Sequence, residues 1–250
     1  MVVPVATPTY LELAEGLAAD FRVVGDRVPS ENEIASVHGV SRPTARAALQ
    51  ELERRFLVRR VRGAGTFVSR RIDYVISDSK VPSASATLRE AGVEPHRELV
   101  DAPTLRCAAD IAWHLGVERG TRVQLIRRRT TIDGILTSIS ASYIPSALVP
   151  GIVEELAVRG SLFETLRDVY GIVCQRRWSR ASLDLPPASI VEALRLEGTP
   201  PTWLIEGVNE RRGRPSTAIE FTRNWSRADV LNVVFEMGQP PEVVRTETVR

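Results

Sequence analysis

Long apolar runs and cysteine are scarce in this 250-residue chain, and lysine is almost missing. No apolar stretch approaches the ~18 residues of a membrane helix, and no signal-peptide pattern opens the chain. The two cysteines, Cys107 and Cys174, are far apart and lack neighbours at metal-ligand spacing. These absences argue against a disulfide framework and a zinc site, and they predict a soluble cytoplasmic protein with no metal or cofactor.

Net charge is also small, because 33 basic residues against 31 acidic ones leave only +2. The net charge therefore gives no reason to expect nucleic-acid binding, but the distribution of charged residues along the chain does. Between Arg42 and Arg71 there are nine arginines and two glutamates, Glu51 and Glu53, so nine minus two gives a local excess of +7. A basic segment in a nearly neutral protein indicates one anionic partner surface.

The first 55 residues predict three short helices. Thr7-Pro8 is a typical helix start, with Thr as N-cap and Pro in the first turn. An apolar stripe at helical spacing follows, formed by Tyr10, Leu13, Leu17 and Phe21. Ser30 and Glu33 form a capping box for a second helix that ends at Gly39, and Ser41 caps a third.

The third helix carries a polar ridge, because Arg42, Arg46 and Gln50 are four residues apart and share one helix face. Two short helices joined by a tight turn, the second with such a ridge, form a helix-turn-helix. A major groove admits one helix, and arginine pairs in bidentate fashion with guanine. The ridge therefore predicts binding to double-stranded DNA.

A hairpin follows this helix and predicts a wing. Val58 to Val61 and Thr66 to Ser69 are its strands, and Arg62-Gly63-Ala64-Gly65 is a loop that can adopt positive backbone angles. Small residues at the tip allow the backbone to approach a phosphate or enter the minor groove. The alternative is a protein-interaction winged helix in which Arg42 and Arg46 are solvated surface charges.

These motifs resemble the winged helix-turn-helix of GntR-family bacterial transcription regulators over residues 8 to 70. The matching segments are Pro29-Ser30-Glu31-Asn32-Glu33-Ile34-Ala35, Val40-Ser41-Arg42-Pro43-Thr44-Ala45-Arg46 and Gly63-Ala64-Gly65-Thr66-Phe67-Val68. The resemblance implies operator contacts from Arg42, Thr44, Arg46 and Gly65, with Ser41 as cap and phosphate donor. The full set that we predict to bind DNA is Ser41, Arg42, Thr44, Arg46, Gln50, Arg62, Gly63 and Gly65.

Two positions depart from that family's usual pattern. Asn32 and Ala64 stand where the family often has arginine, and this weakens the expected phosphate and minor-groove contacts.

The rest of the chain alternates between helical and strand-like patterns and predicts an α+β fold with an antiparallel sheet. The predicted domains are a winged helix-turn-helix at 1–70, a linker with an extended segment at 71–82 and a second domain at 83–250. The predicted helices are 84–91, 107–115, 162–169 and 187–196, and the predicted strands are 122–131, 135–144, 172–185, 202–210 and 217–225. Asp133-Gly134 predicts a hairpin turn, and Gly213 another.

A faint internal repeat supports this prediction, although chance similarity remains an alternative. Ala109-Asp110-Ile111 through Leu115 parallels Ala188-Ser189-Ile190 through Leu194, and the two hairpin glycines keep the same offset. Each unit is a helix followed by a hairpin, which indicates pseudo-twofold symmetry.

This half resembles a UTRA effector-binding domain of the HutC-type GntR branch over residues 75 to 245. The matching segments include Leu115-Gly116-Val117, Asp133-Gly134, Tyr143-Ile144-Pro145, Ser161-Leu162-Phe163 and Tyr170-Gly171. The resemblance implies a chorismate-lyase-like architecture, a bound small metabolite and dimer formation.

The predicted effector contacts are Arg128 for an anionic group, Ser161 as a donor at a helix start, Glu220 as an acceptor, and Ser85 at the mouth. The sequence leaves open which of Arg127, Arg128 and Arg129 faces the pocket, and Ser161 is alternatively only a cap. Sugar-phosphate-binding relatives often carry other residues where this chain has Thr130, Ser140 and Leu136. A typical amino-sugar phosphate is therefore disfavoured, and an anionic metabolite such as an organophosphonate is preferred.

The predicted function is a DNA-binding homodimer, a repressor rather than an activator, that a small-molecule effector releases from its operator. The resemblance gives no reason to expect a membrane partner or an enzymatic activity. One alternative is a lyase-like enzyme with a DNA-binding appendage, for which His38, His96 and His114 would be the candidate bases. Another is an architectural DNA binder without a ligand.

Overall fold

The computed structural model describes residues 9–21, 23–61, 63–69, 71–77, 83–214 and 217–237. The chain divides into two compact units, Met1–Arg71 and Ile72–Arg250, and each has its own core. In the described residues no helix is long and apolar enough to cross a membrane.

The first unit has three helices and a two-stranded antiparallel sheet. Its elements are α1 (Tyr10–Asp20), α2 (Glu31–His38), α3 (Arg42–Arg54), β1 (Val58–Val61) and β2 (Gly65–Val68). The capping box of α2 is confirmed, since Ser30 and Glu33 bond each other's backbone N–H groups. Gly39 ends α2 in the left-handed region, as the sequence predicts.

Helix α1 begins later than the sequence predicts. Its N-cap is Thr9, whose side chain and that of Glu12 form a reciprocal capping box. Thr7-Pro8, the predicted start, lies outside the described residues. Of the predicted apolar stripe, Leu13 and Leu17 are buried in the core of this unit and Phe21 is partly buried against it. Tyr10, in the first turn, is 40% exposed, so the stripe is wrong at that position.

The second unit contains five helices and nine strands among its described residues. The helices are α4 (Ala84–Glu90), α5 (Ala109–Leu115), α6 (Ile152–Arg159), α7 (Leu162–Asp168) and α8 (Ala188–Ala193). The strands are β3 (Ile72–Ser77), β4 (His96–Asp101), β5 (Thr104–Arg106), β6 (Arg122–Ile132), β7 (Ile135–Pro145), β8 (Cys174–Asp184), β9 (Thr202–Arg211), β10 (Ala218–Arg227) and β11 (Leu231–Glu236).

The main sheet is antiparallel with the strand order β4-β6-β7-β10-β9-β8, and β5 pairs with the other end of β6. The hairpin predicted at Asp133-Gly134 is confirmed, and both residues have positive φ, as a type I′ turn requires. The second hairpin, β9-β10, is confirmed around Gly213. The two hairpins meet at the sheet centre through β7 and β10, and each follows a short helix, in the order of the predicted repeat.

Four of these elements were not predicted from the sequence. Strand β4 is polar and half exposed, and strand β5 has only three residues. Helix α6 follows a turn without a side-chain cap, and strand β11 was not expected. The interval 71–82, predicted as a linker, contains β3, which pairs in parallel with β11 along its whole length. This part of the predicted linker is therefore a strand of the second unit, and residues 78–82 lie outside the described residues.

Successive side chains along each strand point to opposite sides, so the main sheet has two distinct faces. The inner face, which includes Ile126 and Ile144, packs against α6 and α7. The outer face, which includes Val123 and Phe221, packs against α5. This division decides which strand side chains are enclosed by helices.

Candidate functional site

In the first unit, the N-terminus of α3 is fixed by its cap. Ser41 Oγ accepts a hydrogen bond from the backbone N of Thr44 at 3.3 Å, and the two hydroxyl oxygens are 2.8 Å apart. Ala45, Ala48 and Leu49 are buried in the core of this unit. The recognition ridge, Arg42, Arg46 and Gln50, is therefore exposed, as the sequence predicts.

Both arginines of the ridge face one carboxylate. Glu31, in the first turn of α2, accepts from Arg42 Nε at 3.2 Å, and its second oxygen lies 4.0 Å from Arg46 Nε. The arginine side chains remain about two-thirds exposed while that of Glu31 is mostly covered. Glu31 thus positions the guanidinium groups without burying them.

The wing has the expected hairpin register, with Val61 opposite Gly65. Gly63 and Gly65 have positive φ, so the positive backbone angles predicted for the loop occur at both positions. Arg62 lies outside the described residues. A Cβ on Gly65 would lie 3.2 Å from Arg27 Nε. The φ of +121° at Gly65 favours glycine, and a Cβ there would also crowd the flexible end of the Arg27 side chain.

A groove connects α2, the start of α3 and the wing, and it is lined in part by Arg27, Glu31, Arg42, Arg60 and Gly65. Sequence reasoning missed Arg27 and Glu31 as parts of this surface. Their positions before and at the start of α2 give no periodic signal, and only folding brings them beside the ridge and the wing.

In the second unit, the inner face carries a buried cation. Arg128 of β6 is 5% exposed, and its Nε and Nη1 atoms have no hydrogen-bond partner among the described residues. Burial and, to a lesser extent, the nearby Arg97 together lower the pKa of Arg128 to about 9, although Glu220 opposes the shift. The guanidinium remains charged at neutral pH despite its burial.

Glu220 of β10 is 2% exposed and accepts a hydrogen bond from Asn209 Nδ2 at 2.6 Å. Asn209 lies opposite Glu220 on one side and opposite Arg176 of β8 on the other. The structure thus buries both predicted charged contacts, Arg128 and Glu220, and it adds Arg97 and Arg176, which sequence reasoning missed.

The structure answers which of the three consecutive arginines faces inward. Arg127 pairs with Asp101 at 2.6 Å, and Arg129 pairs with Glu98 through two bonds of 2.7 Å. Both pairs are on the outer face and are partly exposed. Arg128 alone of the three turns toward the inner face.

The two predicted serines are both buried. Ser161 caps α7, where its Oγ accepts from the backbone N of Glu164 at 3.4 Å, and Ser85 lies in the first turn of α4. The cap role of Ser161 is confirmed, while effector contacts by Ser161 and Ser85 stay predictions.

Comparison with known proteins agrees with this division of the chain. Residues 9–68 match the bacterial regulatory proteins of the gntR family, and residues 90–232 match the UTRA domain. The chain belongs to the GntR family. It is a DNA-binding transcription regulator with a UTRA effector-binding domain.

Similar proteins span nearly its whole length. The HTH-type transcriptional regulator GgaR of Escherichia coli K12 is 30% identical over 235 residues, 92% of this chain and 91% of GgaR. The HTH-type transcriptional repressor PhnF of Mycolicibacterium smegmatis is 30% identical over 214 residues, 86% of this chain and 85% of that one. A crystal structure of PhnF from Mycobacterium smegmatis has a TM-score of 0.63 and 27% identity, with coverage of 91% and 100%.

The three histidines of the enzyme alternative have unrelated surroundings in this GntR-family regulator. His38 ends α2, His96 begins β4, and His114 of α5 stacks on Phe221 with ring centroids 4.1 Å apart. Burial lowers the pKa of His114. Because the family and the relatives are transcription regulators, the prediction that the chain is not an enzyme is confirmed.

Replacing Glu31 by glutamine is expected to reduce discrimination between operator and unrelated DNA. The carboxylate repels phosphates and holds both ridge arginines, so its loss should raise non-specific affinity a few-fold while specific affinity does not rise. Fluorescence anisotropy titrations measure the affinity for an operator selected from random DNA and the affinity for a scrambled duplex, and the ratio of the two affinities is the discrimination. Glu15→Gln, an equal charge change at an exposed position of α1, should leave the ratio unchanged, and an equal ratio in both variants contradicts the positioning role.

Proposed function

We propose that the protein is a homodimeric repressor that an anionic metabolite releases from its operator. In this proposal the domain at 1–70 reads DNA and the domain at 83–250 binds the effector and forms the dimer. The observation that carries it is the buried guanidinium of Arg128, whose Nε and Nη1 atoms have no hydrogen-bond partner among the described residues, in a chain whose other unit exposes an arginine ridge.

The DNA contacts that we propose follow the exposed surface of the first unit. Arg46 and Gln50 reach base edges from α3, and Ser41, Arg42 and Thr44 engage phosphates or bases at the helix start. Gly63 and Gly65 let the wing backbone approach the minor groove, and Arg62 extends that contact. Two copies of α3 in a dimer would read half-sites about one helical turn apart.

The effector site that we propose is the inner face of the main sheet. A buried charge is costly unless it is paired, and a ligand that supplies the missing anion recovers that cost on binding. Arg128 would hold the anionic group, Glu220 would accept from a hydroxyl or amine, and Ser161 and Ser85 would add polar contacts. Effector binding favours a dimer geometry that no longer matches the operator spacing.

The name of the PhnF relative includes the word repressor, which supports repression over activation. The enzyme alternative is not favoured, because the relatives are regulators and the histidines lie apart.

A thermal-shift screen with the full-length protein tests the proposal. Phosphorylated sugars, phosphonates and amino-acid derivatives are the compounds to screen, and each hit is retested for release of the selected operator. We expect at least one anionic compound to raise the melting temperature and to weaken operator binding tenfold or more. If no compound does either, the architectural alternative is favoured, and turnover of a bound compound would revive the enzyme alternative.

A further inference from the structure

Three arginines line part of the groove between α2, the start of α3 and the wing in the first unit. Arg42 forms an ion pair with Glu31 at 3.2 Å. Arg60 forms one with Glu53, also at 3.2 Å. Arg27 is exposed, and among the described residues its guanidinium has neither a hydrogen bond nor an ion pair. The charge of Arg27 is therefore free to meet an anion from outside the protein.

The backbone at Arg27 is held against the second strand of the wing. Arg27 lies opposite Phe67 in a one-residue antiparallel bridge, and the following Val28 N donates to Thr66 O at 2.8 Å. The side chain extends to Gly65, where a Cβ would lie 3.2 Å from Nε and 3.5 Å from Nη2 of Arg27. Backbone pairing thus places a guanidinium against the wing at the glycine that we expect to approach DNA.

Glu33 is an acidic group that the charge of Arg27 acts on. Hydrogen bonds with the backbone and side chain of Ser30 lower the pKa of Glu33, and the charge of Arg27 lowers it slightly further. Glu33 accepts from Ser30 N at 2.7 Å as part of the α2 capping box. Because this carboxylate is engaged in capping, it leaves the guanidinium of Arg27 unpaired.

The residues beside Arg27 in the groove carry little charge that could replace it. Gly63, Ala64 and Gly65 at the wing tip have no polar side chain, and Asn32 on the α2 side of the groove is neutral. Arg27 comes from the segment before α2 and adds a cation at this side of the wing. Only the folded unit brings that cation to the groove.

Double-stranded DNA presents a sugar-phosphate strand to this groove when α3 and the wing bind as proposed. The major groove admits one helix, and one sugar-phosphate backbone separates it from the adjacent minor groove. With α3 in the major groove and the wing at the minor groove, that backbone lies between α3 and the wing. The groove that contains Arg27 occupies the same place on the protein.

We propose that Arg27 contacts a phosphate of the DNA strand that separates these two grooves. This rests on the binding of α3 and the wing proposed above, and it adds a DNA contact that the sequence did not indicate. Phosphates are the same in every sequence, so the contact contributes affinity for any duplex and does not select the operator. Arg27 thereby differs from Arg46, which reads base edges in the proposed complex.

Arg27→Gln tests this contact in the full-length protein. Fluorescence anisotropy titrations on the selected operator and on a scrambled duplex are repeated at several salt concentrations. We expect the variant to bind both duplexes more weakly by the same factor, about fivefold or more in ~0.1 M salt. The slope of log affinity against log salt concentration should become shallower by about 1 for each Arg27 engaged.

Two variants serve as controls. Arg119→Gln removes an exposed arginine of the second unit, between α5 and β6, and should keep the affinity and the salt slope of the unaltered protein. Arg27→Lys keeps the charge and should retain most of both. If Arg27→Lys binds as weakly as Arg27→Gln, the guanidinium serves the packing of the wing, and the phosphate contact is overturned.

The other outcomes also decide the inference. An Arg27→Gln protein that binds like Arg119→Gln overturns it. A loss on the operator alone assigns Arg27 to sequence reading and contradicts the phosphate contact.

Arg46→Ala, titrated in parallel, separates this inference from the proposed function. If Arg46→Ala keeps its operator affinity while Arg27→Gln loses affinity for both duplexes, base reading by α3 fails and the phosphate contact stands. If Arg46→Ala loses operator affinity and Arg27→Gln loses none, the proposed reading by α3 stands and the phosphate contact is wrong.

Discussion

Replacing Arg46 by alanine should weaken operator binding by about 1–3 kcal/mol for each recognition helix, which is roughly fivefold to 150-fold in affinity. The side chain is 62% exposed in the middle of the ridge, and it is oriented by Glu31 rather than buried by it. A bidentate guanidinium pairs with the O6 and N7 atoms of guanine, and alanine leaves those acceptors without partners. Anisotropy titration against the selected operator measures the loss.

Two further variants identify the source of that loss. Arg46→Lys keeps the charge but not the planar pair of donors, so it should retain non-specific binding and lose most of the discrimination. Arg167→Ala, on α7 of the second unit where Arg167 pairs with Asp168, removes an equal charge away from the ridge. Operator affinity for Arg46→Ala that equals that of Arg167→Ala would rule out α3 as the base-reading helix.

Replacing Arg128 by methionine should abolish release of the operator by the effector while the operator affinity of the free protein is kept. Arg128 is buried on the inner face, where no described residue bonds its Nε or Nη1 atoms. Methionine removes the charge that the anion needs and fills similar space with an unbranched apolar chain. We expect the effector concentration for half-release to rise at least a hundredfold.

The same change should stabilise the free protein. Replacing a buried, poorly paired charge by an apolar side chain often raises the free energy of unfolding, here by about 1–4 kcal/mol. A variant that melts at a higher temperature and no longer responds to the effector identifies Arg128 as a residue that serves ligand binding at a cost in stability. Arg129→Met breaks the outer-face pair with Glu98 and should leave the effector response intact. A normal response from Arg128→Met would contradict the assignment.

Most of the first unit could be predicted from the sequence because its elements depend on local chemistry. Ser30 with Glu33 and Ser41 with Thr44 bond within three residues, so the caps define both helix starts wherever the unit packs. The start of α1 was placed too early because Thr7 and Thr9 are both acceptable caps, and only Thr9 has a glutamate three residues later.

The second unit was predicted less completely because its patterns are weaker. The hairpins were found from Asp133-Gly134 and Gly213, where turn residues define the backbone. Strand β3 has no such signal, since its pairing with β11 joins residues about 160 positions apart, as in Ile72 with Leu231. The extended segment predicted within the linker is therefore a strand of the second unit, and only long-range pairing can form it.

Sequence by itself determined the family, the exposed arginine ridge of α3 and the presence of an arginine at the proposed effector site, because these follow from motifs of a few residues. Only the tertiary structure decided that Arg128 points inward while Arg127 and Arg129 form outer-face ion pairs. Successive side chains of a strand point to opposite faces of the sheet, but the sequence does not say which face the helices will cover. It also brought Arg97 and Arg176 to that face from distant strands. Burial by the packed chain, rather than residue type, distinguishes these arginines from the exposed ones of the same sheet.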